Sequence, residues 1–382
     1  MPGRQRAGGA ASHPQTHRSG HLEGSLSMIV GTRDPFGFDR LHYHPRSGMS
    51  ASGIRAVLRA SGQPAGAPDT AAIAGYLSGE RLVGRTVLRD VLAVPPGHAL
   101  IRSPQALTVQ PAPERPQHAD LDTVLRASLQ RALDSGKRVA LALSGGLDSA
   151  LLLALLRELG ALRHVTAYIL ATDMPDYCEL DAALELATQM QANVKIVRAN
   201  EADFIAALPR TTHAVEEPMF NLHPVAKLLL AEAMAADGVE VAITGDGADQ
   251  VLRRDVSANY LPLCHALFDE ASVELHPPFV DAAVVAHLTS IAPDPNKQCL
   301  RELGACLNLP ERLVHGPKRG RLAPAMDLAT LLDRDRTHAL ADTLGLAAPT
   351  LQADTERVLW TTLTLLLDHL DRLHSDAAHR PT

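Results

Sequence analysis

The stretch from Arg138 to Gly160 constrains the fold more than any other part of the chain, because its pattern predicts a strand, a tight loop and a helix. Arg138–Leu143 is an apolar run of buried-strand length, and Ala150–Gly160 is a leucine-rich segment that stops at a glycine. Between them, Ser144–Ser149 has the sequence SGGLDS. Its glycines let the backbone close around an anion, and free N–H groups at a helix N-terminus point at that anion. The loop therefore predicts a phosphate-binding site.

A second acidic loop, Gly245–Gln250 with the sequence GDGADQ, follows a predicted strand at Val239–Thr244. Ligands of open α/β sheets bind at the carboxyl ends of strands, where SGGLDS also lies. We therefore expect Asp148, Asp246 and Asp249 to share one site. Carboxylate oxygens are the ligands that Mg²⁺ prefers when it bridges polyphosphate oxygens. The chain has no GxxxxGK[ST] sequence, so the first loop is not a Walker loop.

Helical and strand-like segments alternate around these two loops. The predicted helices are Asp120–Leu133, Glu179–Met190 and Leu228–Ala236, and the further predicted strands are His164–Leu170 and Val194–Val197. Apolar strands that alternate with helices predict an α/β fold with a parallel sheet. Residues 28–114 contain short β-like runs and turns, and residues 1–27 have almost no large apolar side chains, so we expect that N-terminal tail to be disordered.

Composition excludes several classes of function. The net charge of −7 disfavours a general nucleic-acid binder. The four cysteines form no CxxC pair, which argues against a zinc ribbon and against a disulfide framework. The chain has no apolar run of membrane-spanning length and no signal-peptide core. We therefore expect a cytoplasmic protein with reduced thiols that engages neither nucleic acid nor membrane.

A series of short motifs resembles the asparagine synthetases, which cleave ATP to AMP and pyrophosphate at a PP-loop. Those enzymes carry SGGxDS, DEP, GDGxDE, ExRxPFLD, GKxxLR and RxKxGF in this order. This chain has SGGLDS at 144–149, EEP at 216–218, GDGADQ at 245–250, ELHPPFVD at 274–281, NKQCLR at 296–301 and GPKRGRLAP at 316–324. The resemblance implies an adenine nucleotide α-hydrolase-like PP-loop synthetase domain over residues 115–382, with a helical tail that covers it.

The N-terminal pieces Gly31–His44 and Ala71–Ile101 resemble the later part of the glutaminase domain of the same enzymes. The resemblance implies a truncated, β-rich glutaminase-like region of the Ntn type at residues 28–114. The family nucleophile is an N-terminal cysteine, whereas here Pro2 follows Met1 and no cysteine precedes Cys178. We therefore expect no thiol chemistry on glutamine.

The resemblance also implies roles for individual residues. The expected contacts to ATP come from the two loops and the NKQCLR motif: Ser144, Gly145, Gly146, Leu147, Asp148, Ser149, Gly245 and Lys297. Asp148 and Asp249 are the expected Mg²⁺ ligands. Lys318 is expected to stabilise charge on the phosphate and on the tetrahedral intermediate, and Asp246 or Glu179 to orient or deprotonate the amine. For Glu217 of the EEP motif, a structural and a functional role stay open.

The function implied is an ATP-dependent amide-forming ligase, and three substrate pairs stay open. They are aspartate with ammonia, a carboxylate and an amine of one molecule as in β-lactam synthetases, and a peptide as in lasso-peptide cyclases. A tyrosine stands at the position of Asp246 in the β-lactam enzymes, which disfavours that branch.

Three departures from the family pattern, Gln250, His276 and Arg321, favour a specialised-metabolite or lasso-type synthetase. A precursor peptide and its leader peptidase are the expected partners of the lasso type. A non-catalytic nucleotide-binding relative is the alternative from another class, and the persistence of SGGLDS, Asp249 and Lys318 argues against it. A tRNA thiolase would need catalytic cysteines and a basic face.

Overall fold

A computed structural model gives the fold and describes residues 28–104, 106–112, 119–174, 177–256, 260–316, 328 and 331–378. The tail predicted to be disordered, residues 1–27, lies outside these ranges, as do Lys318 and Arg321. No helix within the described ranges combines the length and the apolar character needed to cross a membrane.

The N-terminal region is built from two small antiparallel sheets and two helices. In chain order its elements are β1 (Met28–Thr32), β2 (His42–Tyr43), β3 (Ser50–Ala51), α1 (Ile54–Ser61), α2 (Thr70–Leu77), β4 (Leu92–Ala93), β5 (His98–Arg102) and β6 (Leu107–Pro111). One sheet has the strand order β1-β5-β6 and the other β3-β2-β4. The region is β-rich, as its sequence predicts, while its boundary with the following domain stays a prediction.

The rest of the chain alternates between helix and strand. Its first elements are α3 (Leu121–Leu133), β7 (Val139–Ala142), α4 (Leu147–Glu158), β8 (Thr166–Thr172), α5 (Leu180–Gln189), β9 (Asn193–Ala199), α6 (Glu201–Val215) and α7 (His223–Ala236). They are followed by β10 (Val241–Ile243), α8 (Ala248–Arg253), α9 (Tyr260–Glu270), β11 (Glu274–His276), α10 (Ala282–Ser290), α11 (Gln298–Cys306), α12 (Glu311–Val314), α13 (Arg334–Leu344) and α14 (Asp354–Ala378). The five strands β7 to β11 form one parallel sheet, which confirms the predicted α/β class.

The strand order of this sheet, β11-β10-β7-β8-β9, decides where a ligand can bind. From β7 the chain moves outward to β8 and β9, and it then returns to the other side of β7 with β10. Because the direction of winding reverses between β7 and β10, the loops after these two strands flank a crevice at the carboxyl edge of the sheet. SGGLDS follows β7 and GDGADQ follows β10, so the topology brings both loops to this switch point.

Helix α4 follows the SGGLDS loop, and its central residues are buried on all sides. The six residues Leu151–Leu156 are each at most 1% exposed. A helix that is apolar all round belongs in the interior of an α/β layer structure. Its burial fixes the position of its N-terminus, and with it the position of the SGGLDS loop.

The C-terminal helices join the N-terminal region to the sheet domain. Trp360 and Leu363 of α14 share a buried apolar cluster with Ile54 and Val57 of α1. Helix α14 also packs along α6 of the sheet domain. The C-terminal helices therefore pack on the sheet domain, as the resemblance led us to expect, and also on the N-terminal region.

The buried carboxylate of Glu216, in the EEP motif, ties the same two regions together. Its oxygens accept hydrogen bonds from the backbone N–H groups of Ile54 (2.6 Å) and Arg55 (2.8 Å) at the N-terminus of α1. The guanidinium groups of Arg40 (2.9 Å) and Arg55 (3.0 Å) form ion pairs with it. Gly53, the N-cap residue of α1, supplies no side-chain cap, and a Cβ there would lie 2.7 Å from the Glu216 carboxylate. A distant carboxylate thus caps this helix.

Candidate functional site

The SGGLDS loop is held in shape by its own hydroxyl groups. The backbone N–H of Ser144 donates to the Ser149 hydroxyl (3.1 Å), and the N–H of Gly146 donates to the Ser144 hydroxyl (3.2 Å). The two hydroxyl oxygens lie 3.0 Å apart, and Ser149 is buried. Residues 144–148 stay partly exposed, so a ligand can reach the loop from its open side.

Helix α4 begins at Leu147 with Gly146 as its N-cap, three residues before the start that the leucine pattern predicts. Asp148 and Ser149 therefore belong to the first helical turn instead of the preceding loop. The backbone N–H groups of a first turn have no intrahelical acceptor, and the helix dipole adds partial positive charge there. This is the electrostatic environment that a pyrophosphate group requires.

Glycine is needed in both loops because each packs against its surroundings at close range. A Cβ at Gly145 would lie 2.8 Å from the Cβ of Ala182 on α5. A Cβ at Gly245 would lie 3.0 Å from the Cβ of Asp148 and 3.0 Å from the backbone nitrogen of Ser149. The two contacts at Gly245 show that the GDGADQ loop lies directly against the first turn of α4.

Lys297 lies between the two aspartates that the family resemblance assigns to Mg²⁺. Its Nζ is 2.8 and 2.6 Å from the two carboxylate oxygens of Asp148 and 3.0 Å from Oδ2 of Asp249. The lysine is only 7% exposed. Asp148, Asp249 and Lys297 therefore form one cluster. We call the two aspartates, Asp148 and Asp249, the acidic pair.

Asp246 points to a different partner, Lys227 of α7. The Lys227 Nζ lies 3.0 and 2.7 Å from the two carboxylate oxygens of Asp246. Lys227 was not among the residues predicted from the sequence, although a lysine within the apolar run of α7 is a signal that could have identified it. The two aspartates of the GDGADQ loop thus pair with different lysines, Asp246 with Lys227 and Asp249 with Lys297.

Two side chains of α9 interact with Asp246, the partly buried Tyr260 and the buried Cys264. Burial raises the pKa of the Tyr260 hydroxyl, and the nearby Cys264 and Asp246 raise it further. Burial, reinforced by Asp246, likewise raises the pKa of the Cys264 thiol. A raised pKa disfavours the thiolate, which is the form in which a cysteine acts as a nucleophile.

The remaining predicted residues are placed as follows. Glu179 is the N-cap residue of α5, and its Cβ lies 3.5 Å from where a Cβ of Gly145 would stand, beside the SGGLDS loop. Lys318 lies outside the described residues, so its role stays a prediction.

The departure at His276 has a structural explanation. Its Nε2 lies 3.0 Å from the carbonyl oxygen and 3.1 Å from the hydroxyl oxygen of Ser128 on α3. Burial is the main cause of the lowered pKa of the His276 imidazole. His276 thus joins the end of β11 to α3.

The donor set fits Mg²⁺ bound together with nucleotide. The described ranges hold no group of three or more histidine, cysteine or acidic residues placed to hold a metal alone. Mg²⁺, however, is commonly held by one or two carboxylates together with waters and substrate phosphates. Asp148 in the first turn of α4 and Asp249 in the first turn of α8 supply two such carboxylates.

Gly247 gives a test of how tightly the second loop is built. It has φ +99°, and a Cβ there would overlap the side chain of Val280. We expect Gly247→Ala to destabilise the protein by about 1–3 kcal/mol more than Gly136→Ala, measured by denaturant unfolding. Gly136 is the matched control, because it has φ +71° but no atom within 4 Å of an added Cβ. Equal losses would show that backbone strain alone matters and that the packing against Val280 does not.

Comparison with known proteins locates a family in the middle of the chain. Residues 120–253 match the family model described as asparagine synthase. The amidase chyE of Penicillium rubens is 23% identical over 258 residues, 60% of this chain and 38% of that protein. The amidase chry2 of Gibberella zeae is 23% identical over 269 residues, 60% of this chain and 40% of that protein. The chain thus spans less than half the length of these curated relatives.

Among solved structures, NMN synthetase from Francisella tularensis aligns with 69% of this chain and 96% of that chain, at 17% identity and a TM-score of 0.35. The NH3-dependent NAD synthetase from Campylobacter jejuni aligns with 69% of this chain and 99% of that chain, at 16% identity and a TM-score of 0.34. These scores are too low for a comparison of sites.

The family match begins just before α3 and ends at the last residue of α8, so it contains β7, β10 and both loops. The motifs SGGLDS, EEP and GDGADQ, the strands β7 to β10 and the contact between the two loops lie within this range, whereas β11 and the three later motifs lie beyond it. The identification as a PP-loop relative is thereby confirmed: residues 120–253 carry an asparagine synthase domain.

Proposed function

We propose that this chain is an ATP-dependent amide-forming ligase that cleaves ATP to AMP and pyrophosphate at the SGGLDS loop. The observation that carries the proposal is the convergence of Asp148 and Asp249 on one cation, at 2.6–3.0 Å, directly in front of the first turn of α4. Opposed carboxylates beside a helix N-terminus suit a polyphosphate with its counter-cation. The asparagine synthase domain supports ATP as the nucleotide.

In this proposal the loop binds the leaving group. The backbone N–H groups of Gly145 and Leu147 donate to pyrophosphate oxygens, while the hydroxyls of Ser144 and Ser149, with the N–H of Gly146, keep the loop closed. Asp148 and Asp249 would hold Mg²⁺, which when bound supplies positive charge to the departing pyrophosphate. The substrate carboxylate then attacks the α-phosphate, and an acyl-adenylate forms as the bond to pyrophosphate breaks.

The amine that follows needs a base or an orienting group, and we assign this role to Asp246. Asp246 directly follows Gly245, which lies against the first turn of α4. The ammonium of Lys227 holds both oxygens of Asp246 in one orientation. The tetrahedral intermediate collapses to the amide and AMP, and Lys318 is the residue we propose to stabilise its negative charge.

For the substrates we propose a specialised-metabolite carboxylate and amine, or a precursor peptide that is cyclised in the cytoplasm. The named amidases among the relatives are consistent with amide chemistry but do not choose between these classes. A precursor peptide would bring its leader peptidase as a partner. Aspartate with ammonia is the alternative pair, and a nucleotide-binding relative without turnover is the alternative of another class.

Trapping with hydroxylamine tests the proposal without knowledge of the natural amine. The protein is incubated with Mg·ATP, hydroxylamine and a panel of carboxylates that includes L-aspartate and peptides with free acidic side chains. We expect one carboxylate to yield its hydroxamate together with an equal amount of AMP. Binding of ATP without a hydroxamate from any carboxylate would favour the non-catalytic alternative.

A further inference from the structure

The three donors of the Lys297 ammonium are matched by the oxygens of the acidic pair. One carboxylate oxygen of Asp249 and both of Asp148 lie 2.6–3.0 Å from Nζ, which are the distances of charge-assisted hydrogen bonds. The lysine side chain is 9% exposed, and those of Asp148 and Asp249 are 22% and 28% exposed. The ammonium therefore lies on the protein side of the pair, and the carboxylates separate it from solvent.

The backbone conformation and hydrogen bonds around Lys297 hold its turn next to the helix that carries Asp249. Lys297 is the N-cap residue of α11 with φ +58°, a left-handed conformation that costs a non-glycine residue about 1–2 kcal/mol. Its N–H donates to the carbonyl oxygen of Asp294 (3.1 Å), whose own N–H donates to Leu252 at the end of α8 (2.9 Å). The turn is thus fastened to the helix that carries Asp249.

An ammonium and a free divalent metal ion compete for these oxygens. Mg²⁺ binds carboxylate oxygen at about 2.0–2.1 Å, which would place it within a few ångströms of Nζ. At that separation two cations repel strongly, since the interaction energy scales inversely with distance and with the local dielectric. A metal ion without nucleotide must therefore displace Lys297 from both aspartates.

A polyphosphate removes this obstacle. Its oxygens bring negative charge to the first turn of α4, within reach of the same lysine, and lysine is a common phosphate ligand. An ammonium that turns towards the phosphates no longer keeps a metal ion from the carboxylate oxygens of Asp148 and Asp249, and the phosphates can bind the same metal ion.

We propose that Lys297 is an internal cation of the nucleotide-free protein and prevents free divalent metal ions from binding to the acidic pair. When ATP binds, its polyphosphate draws the Lys297 ammonium away from the two aspartates, so that the metal ion binds together with the nucleotide. The proposal deepens the proposed function and rests on its assignment of ATP to this site. It makes metal affinity a property of Lys297 as well as of the two aspartates.

The decisive measurement is Mn²⁺ binding, followed by its electron paramagnetic resonance signal, in protein without nucleotide. We expect Lys297→Met to bind Mn²⁺ at least about tenfold more tightly than wild type, because both carboxylates lose their internal cation. Lys137→Met is the matched control. It removes an equal charge from the exposed pair with Glu274, ahead of β7 and away from the carboxyl edge of the sheet, and it should leave affinity unchanged. The double variant Asp148→Asn/Lys297→Met should lose the gain.

Equal Mn²⁺ affinity of wild type and Lys297→Met would overturn the proposal. Lys297→Gln provides a second variant if Lys297→Met does not fold, with the same expected gain. A parallel titration with α,β-methylene-ATP should show that nucleotide raises Mn²⁺ affinity in wild type and does so less in the variant. Failure of wild type to bind this analogue would refute the proposed function, whereas the nucleotide-free comparison would still decide the role of Lys297.

Discussion

Asp148→Asn is expected to lower the rate of ATP–pyrophosphate exchange by about 100- to 1,000-fold, with the carboxylate identified by hydroxamate trapping as substrate. The loss of one preorganised charge contact to a reacting phosphate typically has an effect of this size. Asparagine keeps the size of the side chain and one acceptor for Lys297, so we expect the melting temperature to change little. The same change at Asp249, which faces the same lysine, should have an effect of similar size.

A matched control separates this role from a general effect of a first-turn carboxylate. Asp335 lies in the first turn of α13 and is exposed, so Asp335→Asn removes the same charge from an equivalent helix position elsewhere. Exchange should proceed at the wild-type rate in this control. Wild-type exchange in Asp148→Asn at saturating Mg²⁺ would refute the assignment of Asp148 as a metal ligand.

Glu216→Gln is expected to lower the free energy of unfolding by roughly 3–5 kcal/mol, the usual cost of breaking a buried ion pair from one side. The change leaves Arg40 and the N-terminus of α1 without their charged partner. Glu270→Gln is the control, because Glu270 pairs with the same Arg55 but its side chain is 42% exposed, and it should cost less than about 1 kcal/mol. Denaturant unfolding measures both.

The pH dependence of this loss follows from the direction of the Glu216 shift. Burial alone would raise the pKa of the Glu216 carboxyl, but Arg40, the Arg55 N–H, His42 and the Arg55 side chain outweigh burial and lower it. A lowered pKa contributes stability that is present above the unfolded value of 4.5 and is lost as pH falls through the folded value. The difference between wild type and Glu216→Gln should therefore be full at pH 7 and should shrink below about pH 4.5. A difference that grows on acidification would contradict the ion-pair account.

The parallel sheet and the place of the two loops were predictable because they depend on local patterns. Apolar strand runs, a leucine-rich helix and glycine turns are each recognisable within a few residues. The winding of the sheet then places the two loops at the same edge. The predicted start of α4 was three residues late, since Asp148 and Ser149 are weak helix formers that nevertheless lie in the first turn of the packed helix.

The pairings within the site were not predictable from spacing. Lys297 reaches Asp148 across 149 positions of sequence, and Glu216 caps α1 across more than 160. Lys227 has no motif of its own, and the packing of α7 against β8 and β9 of the assembled sheet brings its ammonium to Asp246. Such contacts depend on the assembled sheet, so the sequence showed which residues carry charge but not which partner each one meets.

The identity of the nucleotide products tests the central claim most directly. Phosphorus NMR of a reaction with Mg·ATP and the carboxylate found by trapping distinguishes cleavage at the α-phosphate from cleavage at the γ-phosphate. We predict that AMP and pyrophosphate accumulate in equal amounts and only when that carboxylate is present. Carboxylate-dependent accumulation of ADP and orthophosphate would contradict the assignment of SGGLDS as a pyrophosphate loop.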